Sequence, residues 1–237
     1  MALISTIFTD VFSMSDYLFP FLAVVLGIVI AGFTKSSKSW DTKLLLSFSG
    51  AFLLALTLFE LLPEVYNHLE AKSTGLFIMC GILLQIILEL FSKGAEHGHM
   101  HIHKNSTTFP WLLFISLCIH SFLEGFAIHE HNDMVYGVLV HKIPIAIIIS
   151  LFLFKAKYRK LQIVLFLLIF ACMTPFGTLI SQTWEAEGNT VHIINAVVIG
   201  IFLHISTTIL FESSDGHKFN MSKFIAIIFG VGIAYLI

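Results

Sequence analysis

Long runs of Leu, Ile, Phe and Val recur along this chain, separated by short polar connections. A helix on the surface of a soluble domain shows its apolar residues on one face. In these runs apolar residues surround most of the helix, the pattern expected when every side is covered. The hydrocarbon core of a bilayer is roughly 30 Å thick and takes about 20 apolar residues as a helix. Segments of that kind predict eight spans, at about 17–34, 43–66, 73–92, 110–130, 134–154, 161–183, 191–211 and 220–237. Backbone in hydrocarbon has to satisfy its own polar groups, so open sheets are excluded, and barrel strands would be shorter and alternating. The expected fold class is an all-α integral membrane protein with eight transmembrane helices, organised as a single domain over residues 1–237.

Composition agrees. Hydrophobic residues make up 57% of the chain and charged residues 12%, with a mean hydropathy of +0.91. A soluble domain carries roughly twice that share of charge to cover its surface. The net charge of −2 comes with no basic stripe, so nucleic acid is not an expected partner. Cys80, Cys118 and Cys172 each stand alone in an apolar stretch and read as buried small hydrophobes. The first fifteen residues have no basic segment of the kind that opens a cleaved signal, so insertion is expected to rely on the first span.

Orientation follows from the basic residues. Lys35, Lys38 and Lys43 flank the first connection; Lys93 and Lys104 lie in the third. Lys155, Lys157, Arg159 and Lys160 fill the fifth, and Lys218 and Lys223 fall around the seventh. Every second connection carries them, so by the positive-inside rule those four are cytoplasmic and both termini face outward. The opposite connections hold Glu70 with Lys72, Glu130 with Asp133, and Glu185 with Glu187.

An ionisable side chain inside a span is costly enough to count as a functional candidate. The fourth span carries His120-Ser121-Phe122-Leu123-Glu124-Gly125. His120 and Glu124 are four apart and share a helical face, where an imidazole and a carboxylate can grip one divalent ion. Gly125 leaves room for a neighbouring helix to come close. Further along the same face, His131 lies near the outer mouth. The fifth span adds His141-Lys142-Ile143-Pro144. By helical rise His141 sits about 10 Å and His120 about 16 Å from the outer end, so antiparallel neighbours can level them. Pro144 frees the carbonyl four residues earlier. A simple packing hydrogen bond between His120 and Glu124 is the plainer reading, but it leaves His141 and Lys142 unused.

His-Ser-x-x-Glu-Gly in a fourth span followed by His-Lys in a fifth resembles the ZIP (Zrt/Irt-like) metal transporters, in the branch with Ser after the first His and Lys after the second. Leu61-Leu62-Pro63-Glu64 and Thr174-Pro175-Phe176-Gly177 fit weaker patterns of that family. The resemblance implies a three-plus-two-plus-three helix arrangement and a divalent metal importer for zinc, with Fe2+, Mn2+ or Cd2+ as other cargo, and no separate cofactor. It implies His120, Glu124 and His141 as ligands of the transported ion. Relatives that hold a second ion use ligands at positions occupied here by Ser121, Lys142, Ile145 and Thr174. A protonated Lys cannot ligate, but it can replace an ion's charge. A single transport site is therefore expected, with Lys142 pairing Glu124. Ligands must shed protons to hold metal, so uptake is expected to fail as pH falls through their titrations.

Other polar clusters are weaker. His97, His99, His101 and His103 alternate in a loop of about 93–109 assigned to the cytoplasm, where they can capture released metal or serve as a solvated linker. Glu60 and Glu64 share a face near the outer end of the second span and are entrance candidates beside His131, or plain interfacial carboxylates. His204, Gln85 and Glu89 read as packing hydrogen bonds. The rival function is an intramembrane zinc-dependent hydrolase, which would also bury His and carboxylate ligands; no His-Glu-x-x-His lies on any span. The expected partners are the metal ion and the lipid of a cell membrane that the chain crosses several times, with a homodimer as an open arrangement.

Overall fold

The computed structural model describes residues 2–34, 42–92, 109–130, 133–184, 189–212 and 221–237, and the regular elements among them are helices. Helix α1 runs over Ala2–Thr34, starting well ahead of the expected residue 17. The second span is α2 (Thr42–Leu56), one wide i→i+5 turn at Thr57–Leu61, and α3 (Leu62–His68). There follow α4 (Ala71–Ser92), α5 (Trp111–Glu130), α6 (Met134–Lys155), α7 (Lys160–Thr183), α8 (Thr190–Glu212) and α9 (Met221–Leu236). The wide turn has a cause in the sequence. Pro63 cannot donate to the carbonyl of Phe59, and its ring crowds that carbonyl, so the turn before it opens. The Leu62 N–H bonds to the Thr57 carbonyl instead, the i→i+5 bond of that turn.

Seven spans among the described residues are long and apolar enough to cross a membrane. The eighth helix, Met221–Leu236, is apolar but has 16 residues. At 1.5 Å per residue that is about 24 Å, short of a typical hydrocarbon core. The chain is thus a multi-pass integral membrane protein, with seven full-length spans and an eighth, shorter apolar helix among the described residues.

Helix packing divides the bundle into two groups. α5 packs along α7 and α1 along α6, and α1 also meets α7. In the second group α4 packs along α8, α2 along α9, and α2 also meets α8. The groups touch chiefly through α2 with α6 and α4 with α5. Exchanging the first span with the sixth, second with seventh, third with eighth and fourth with fifth maps the four tight pairs onto one another. That is the three-plus-two-plus-three arrangement.

Tight crossings need small residues, because two backbones cannot approach past a side chain. A Cβ on Gly177 would sit 2.0 Å from the Phe122 carbonyl oxygen, and one on Gly125 would sit 2.4 Å from that of Thr174. Gly81 and Gly200 do the same for α4 and α8, where a Cβ on Gly81 would meet the Val197 carbonyl oxygen at 1.9 Å. The room expected at Gly125 is thus taken up by α7.

The exterior is apolar, as hydrocarbon requires: Leu76, Leu83 and Leu90 line one face of α4, and Leu161, Val164 and Leu168 line α7. Cys80 and Cys172 also lie on this outer surface, and only Cys118 is buried. This corrects the expectation that all three are enclosed. An apolar surrounding is supplied by lipid as well as by core, so sequence hydropathy does not separate the two.

Candidate metal centre

α5 and α6 bring the fourth- and fifth-span residues together inside the first helix group. His120, Glu124, His141 and Lys142 are all at most 2% exposed. The two oxygens of the Glu124 carboxylate have separate neighbours. Oε1 lies 3.0 Å from His120 Nε2 and 4.0 Å from His141 Nε2. Oε2 accepts from Lys142 Nζ at 2.5 Å and lies 3.4 Å from Thr174 Oγ1. The carboxylate therefore faces two imidazoles with one oxygen and an ammonium with the other.

Around this core Lys142, Ser121, Thr174 and Thr178 are hydrogen-bonded. Lys142 Nζ also donates to Ser121 Oγ at 3.0 Å and stands 5.0 Å from the centre of the Phe170 ring, a cation–π distance. Thr174 Oγ1 donates to the Ser121 carbonyl at 2.8 Å, and Thr178 Oγ1 to the Gly125 carbonyl at 3.1 Å. Phe170, Thr174 and Thr178 recur every four residues on α7, so one face of that helix closes the site from the side of Lys142. Only Thr174 stood out in the sequence. The four-residue spacing of the other two was the available signal.

The geometry suits a divalent ion. One ligand atom from each of His120, Glu124 and His141 lies within 4.8 Å of the others. Zinc bonds of about 2.0–2.1 Å in a tetrahedron put ligand atoms roughly 3.3 Å apart. Small side-chain rotations close that difference. The two imidazole planes are at 84° with centroids 6.3 Å apart, so the rings are not stacked and can aim nitrogens at one point. Two nitrogens and one oxygen are a zinc-type donor set, and the fourth position is left for water. Since a carboxylate only accepts, the His120 Nε2 in contact with Oε1 carries a proton, which must leave that nitrogen when a cation arrives.

The other candidates are placed as follows. His131, His97, His99, His101 and His103 lie outside the described residues. Glu64 belongs to a second group able to hold a metal, with His68 and His192, whose ligand atoms also lie within 4.8 Å of one another. Glu60 is not part of that group. His68 and His192 were missed. His68 follows Glu64 by four, the same spacing as the Glu124–His120 pair, whereas nothing local in the sequence links His192 to either. His204 Nε2 contacts Glu89 Oε2 at 2.7 Å, tying α8 to α4, and Gln85 is buried on α4. The packing role expected for His204 and Glu89 is what the structure has.

Comparison with known proteins bears on the same chain. The ZIP zinc transporter family profile matches residues 92–237, well over half of the chain and including α5, α6 and all the residues of the buried site. A zinc transporter ZIP1 of Danio rerio is 25% identical over 233 residues, covering 74% of this chain and 76% of that protein. A zinc transporter ZIP1 of Plasmodium falciparum is 30% identical over 163 residues, covering 62% of this chain and 46% of the relative. Protein zntD of Dictyostelium discoideum is 24% identical over 150 residues, covering 54% of this chain and 22% of the relative. The chain thus spans about three quarters of the first of these relatives and less than half of the other two. The family is one of transporters, which removes the hydrolase reading. On its profile match and its eight-span architecture, the chain belongs to the ZIP zinc transporter family.

Proposed function

We propose that this chain carries zinc across a cell membrane into the cytoplasm, and that His120, Glu124 and His141 hold the ion on the way. The observation that supports this reading best is the convergence of these three donor groups, from two helices, in a fully buried polar pocket. A bare cation is far too costly to place in hydrocarbon. Three donors and a carboxylate charge lower that cost at one depth.

In this reading Lys142 takes the place of a second ion. Its ammonium neutralises Glu124 from the Oε2 side and leaves Oε1 and the two imidazoles for a single cation. Ser121 and Thr174 hold the lysine and the carboxylate in place and do not ligate. The chain is then of the branch with Ser and Lys at these positions, a single transport domain over 1–237 that can associate as a homodimer. The outer acidic connections and His131 draw cations to the mouth. On the cytoplasmic side, His97, His99, His101 and His103 receive the ion. Movement of the α1–α5–α6–α7 group against the other four spans would expose the site to each side in turn. Fe2+, Mn2+ and Cd2+ are further cargo of the same donor set.

Reconstitution tests this. Vesicles containing the chain should accumulate radiolabelled zinc faster than protein-free vesicles. Equal accumulation in both would reject transport.

A further inference from the structure

We propose that Glu64, His68 and His192 form a second binding site for a zinc-class divalent cation, separate from the buried one and built wholly on the other helix group. The site lies where α3 ends and α8 begins, at the end of the bundle that the charge pattern assigns to the outside. Its ligand atoms fall within 4.8 Å of one another, a bound the buried site also meets.

Details beyond proximity support it. His68 Nδ1 lies 3.0 Å from the Glu64 backbone carbonyl. A carbonyl only accepts, so Nδ1 carries a proton, and the tautomer this selects leaves Nε2 as the ligand nitrogen. This is how metal-binding histidines are commonly set, with the other nitrogen donating to a backbone carbonyl. The His192 Nδ1 is buried and has no hydrogen-bond partner among the described residues. The His68 and His192 rings are nearly parallel, 4.0 Å apart at 14°, and a Glu64 carboxylate oxygen lies within 4.8 Å of a nitrogen of each, so a shared ion needs one ring to turn off the stack. Two nitrogens and an oxygen again match zinc, with a fourth position open to water.

The helix partition gives the site a role. His120, Glu124 and His141 sit on α5 and α6, while Glu64, His68 and His192 sit on α3 and α8 of the second group. Relative movement of the groups would change the distance between the two sites without disturbing either ligand set. Partly exposed ligands suit a loading station that holds an ion before it sheds its water. The existence of this site does not depend on the transport reading, although the loading role rests on it.

Cobalt(II) is the probe, since it takes the same ligands and absorbs in the visible. The full chain would be purified with His97, His99, His101 and His103 each changed to Ala, so that the loop does not contribute. Two cobalt ions per chain are expected, one lost with His141→Ala and the other with either His68→Ala or His192→Ala. His68 is exposed, so its removal does not open the core. As a positive control, His68→Cys should retain the ion and add a thiolate-to-cobalt charge-transfer band absent from the parent. A single ion that is lost with His68→Ala and kept with His141→Ala would leave this site standing and count against the buried one. A cobalt count and spectrum unchanged by both His68→Ala and His192→Ala, with no new band from His68→Cys, would overturn the proposal.

Discussion

Lys142 meets Glu124 across the α5–α6 interface, Nζ to Oε2 at 2.5 Å, with neither side chain more than 2% exposed. A buried ion pair of this kind gives limited net stability, but breaking it from one side strands a charge. Lys142→Met should therefore destabilise the protein by about 3–5 kcal/mol. Adding Glu124→Gln to it should recover most of that loss, because no uncompensated charge remains. Thermal unfolding of the purified variants checks both. A double variant no more stable than Lys142→Met would show that the pair does not act as a unit.

Thr174 tests how the carboxylate is held. Its hydroxyl bonds the Ser121 carbonyl and lies within reach of Glu124 Oε2. Groups that orient a metal-binding carboxylate change metal affinity by about 10–100-fold when lost. Thr174→Val keeps the shape and removes both contacts, so zinc affinity should fall within that range while the protein stays folded. Calorimetric titration of the loop-substituted chain measures it.

The crossing at Gly125 and Gly177 makes a packing prediction with an internal control. Gly177→Ala places a methyl 2.0 Å from a backbone oxygen, whereas Gly75→Ala meets nothing within 4 Å. The first should cost at least about 1–3 kcal/mol by forcing α5 and α7 apart. The second should be neutral or stabilising by up to about 1 kcal/mol, since Ala is the better helix former. Equal stabilities would contradict the close approach.

The lysine also predicts a count. With the four loop histidines, His68 and His192 all replaced by Ala, the chain should hold one zinc ion, released by His120→Ala. Two ions in that background, read by native mass spectrometry, would mean that Lys142 does not exclude a second one from the buried site.

Proton competition has a definite sign. Histidine ligands bind metal only when deprotonated, and their ordinary pKa is about 6.5. Below it protons occupy the ligand nitrogens, so uptake should decline between about pH 7.5 and pH 5.5. Initial uptake rates across that range, with both faces of the vesicle at one pH, give the profile. A flat profile would count against imidazole ligation.

Much of the fold could be read from residue pattern alone, because lipid imposes one rule on every span: about 20 apolar residues and a helical backbone. His120 and Glu124 were legible for a local reason, the four-residue spacing on one helix. His141 and Lys142 required the further step of levelling two antiparallel helices by their rise. The outer site divides at the same boundary. Glu64 stood out, and His68 lies one turn beyond it, but His192 comes from a helix more than a hundred residues later in the chain. No periodicity carries that pairing; packing of α3 on α8 does. The wide turn at Thr57–Leu61, just before Pro63, is likewise invisible to hydropathy patterns. Nor could they tell that Cys80 and Cys172 face lipid, since a cysteine in an apolar run looks the same on either side of a helix.

The central claim is that two imidazoles and one carboxylate, drawn from α5 and α6, hold the ion in transit. Radiolabelled zinc uptake into vesicles, comparing the unaltered chain with His120→Ala, Glu124→Ala and His141→Ala at matched protein amounts, tests it most directly. The unaltered chain should take up zinc, and each substitution should bring the rate down toward that of protein-free vesicles. Uptake by all three variants at the rate of the unaltered chain would contradict it.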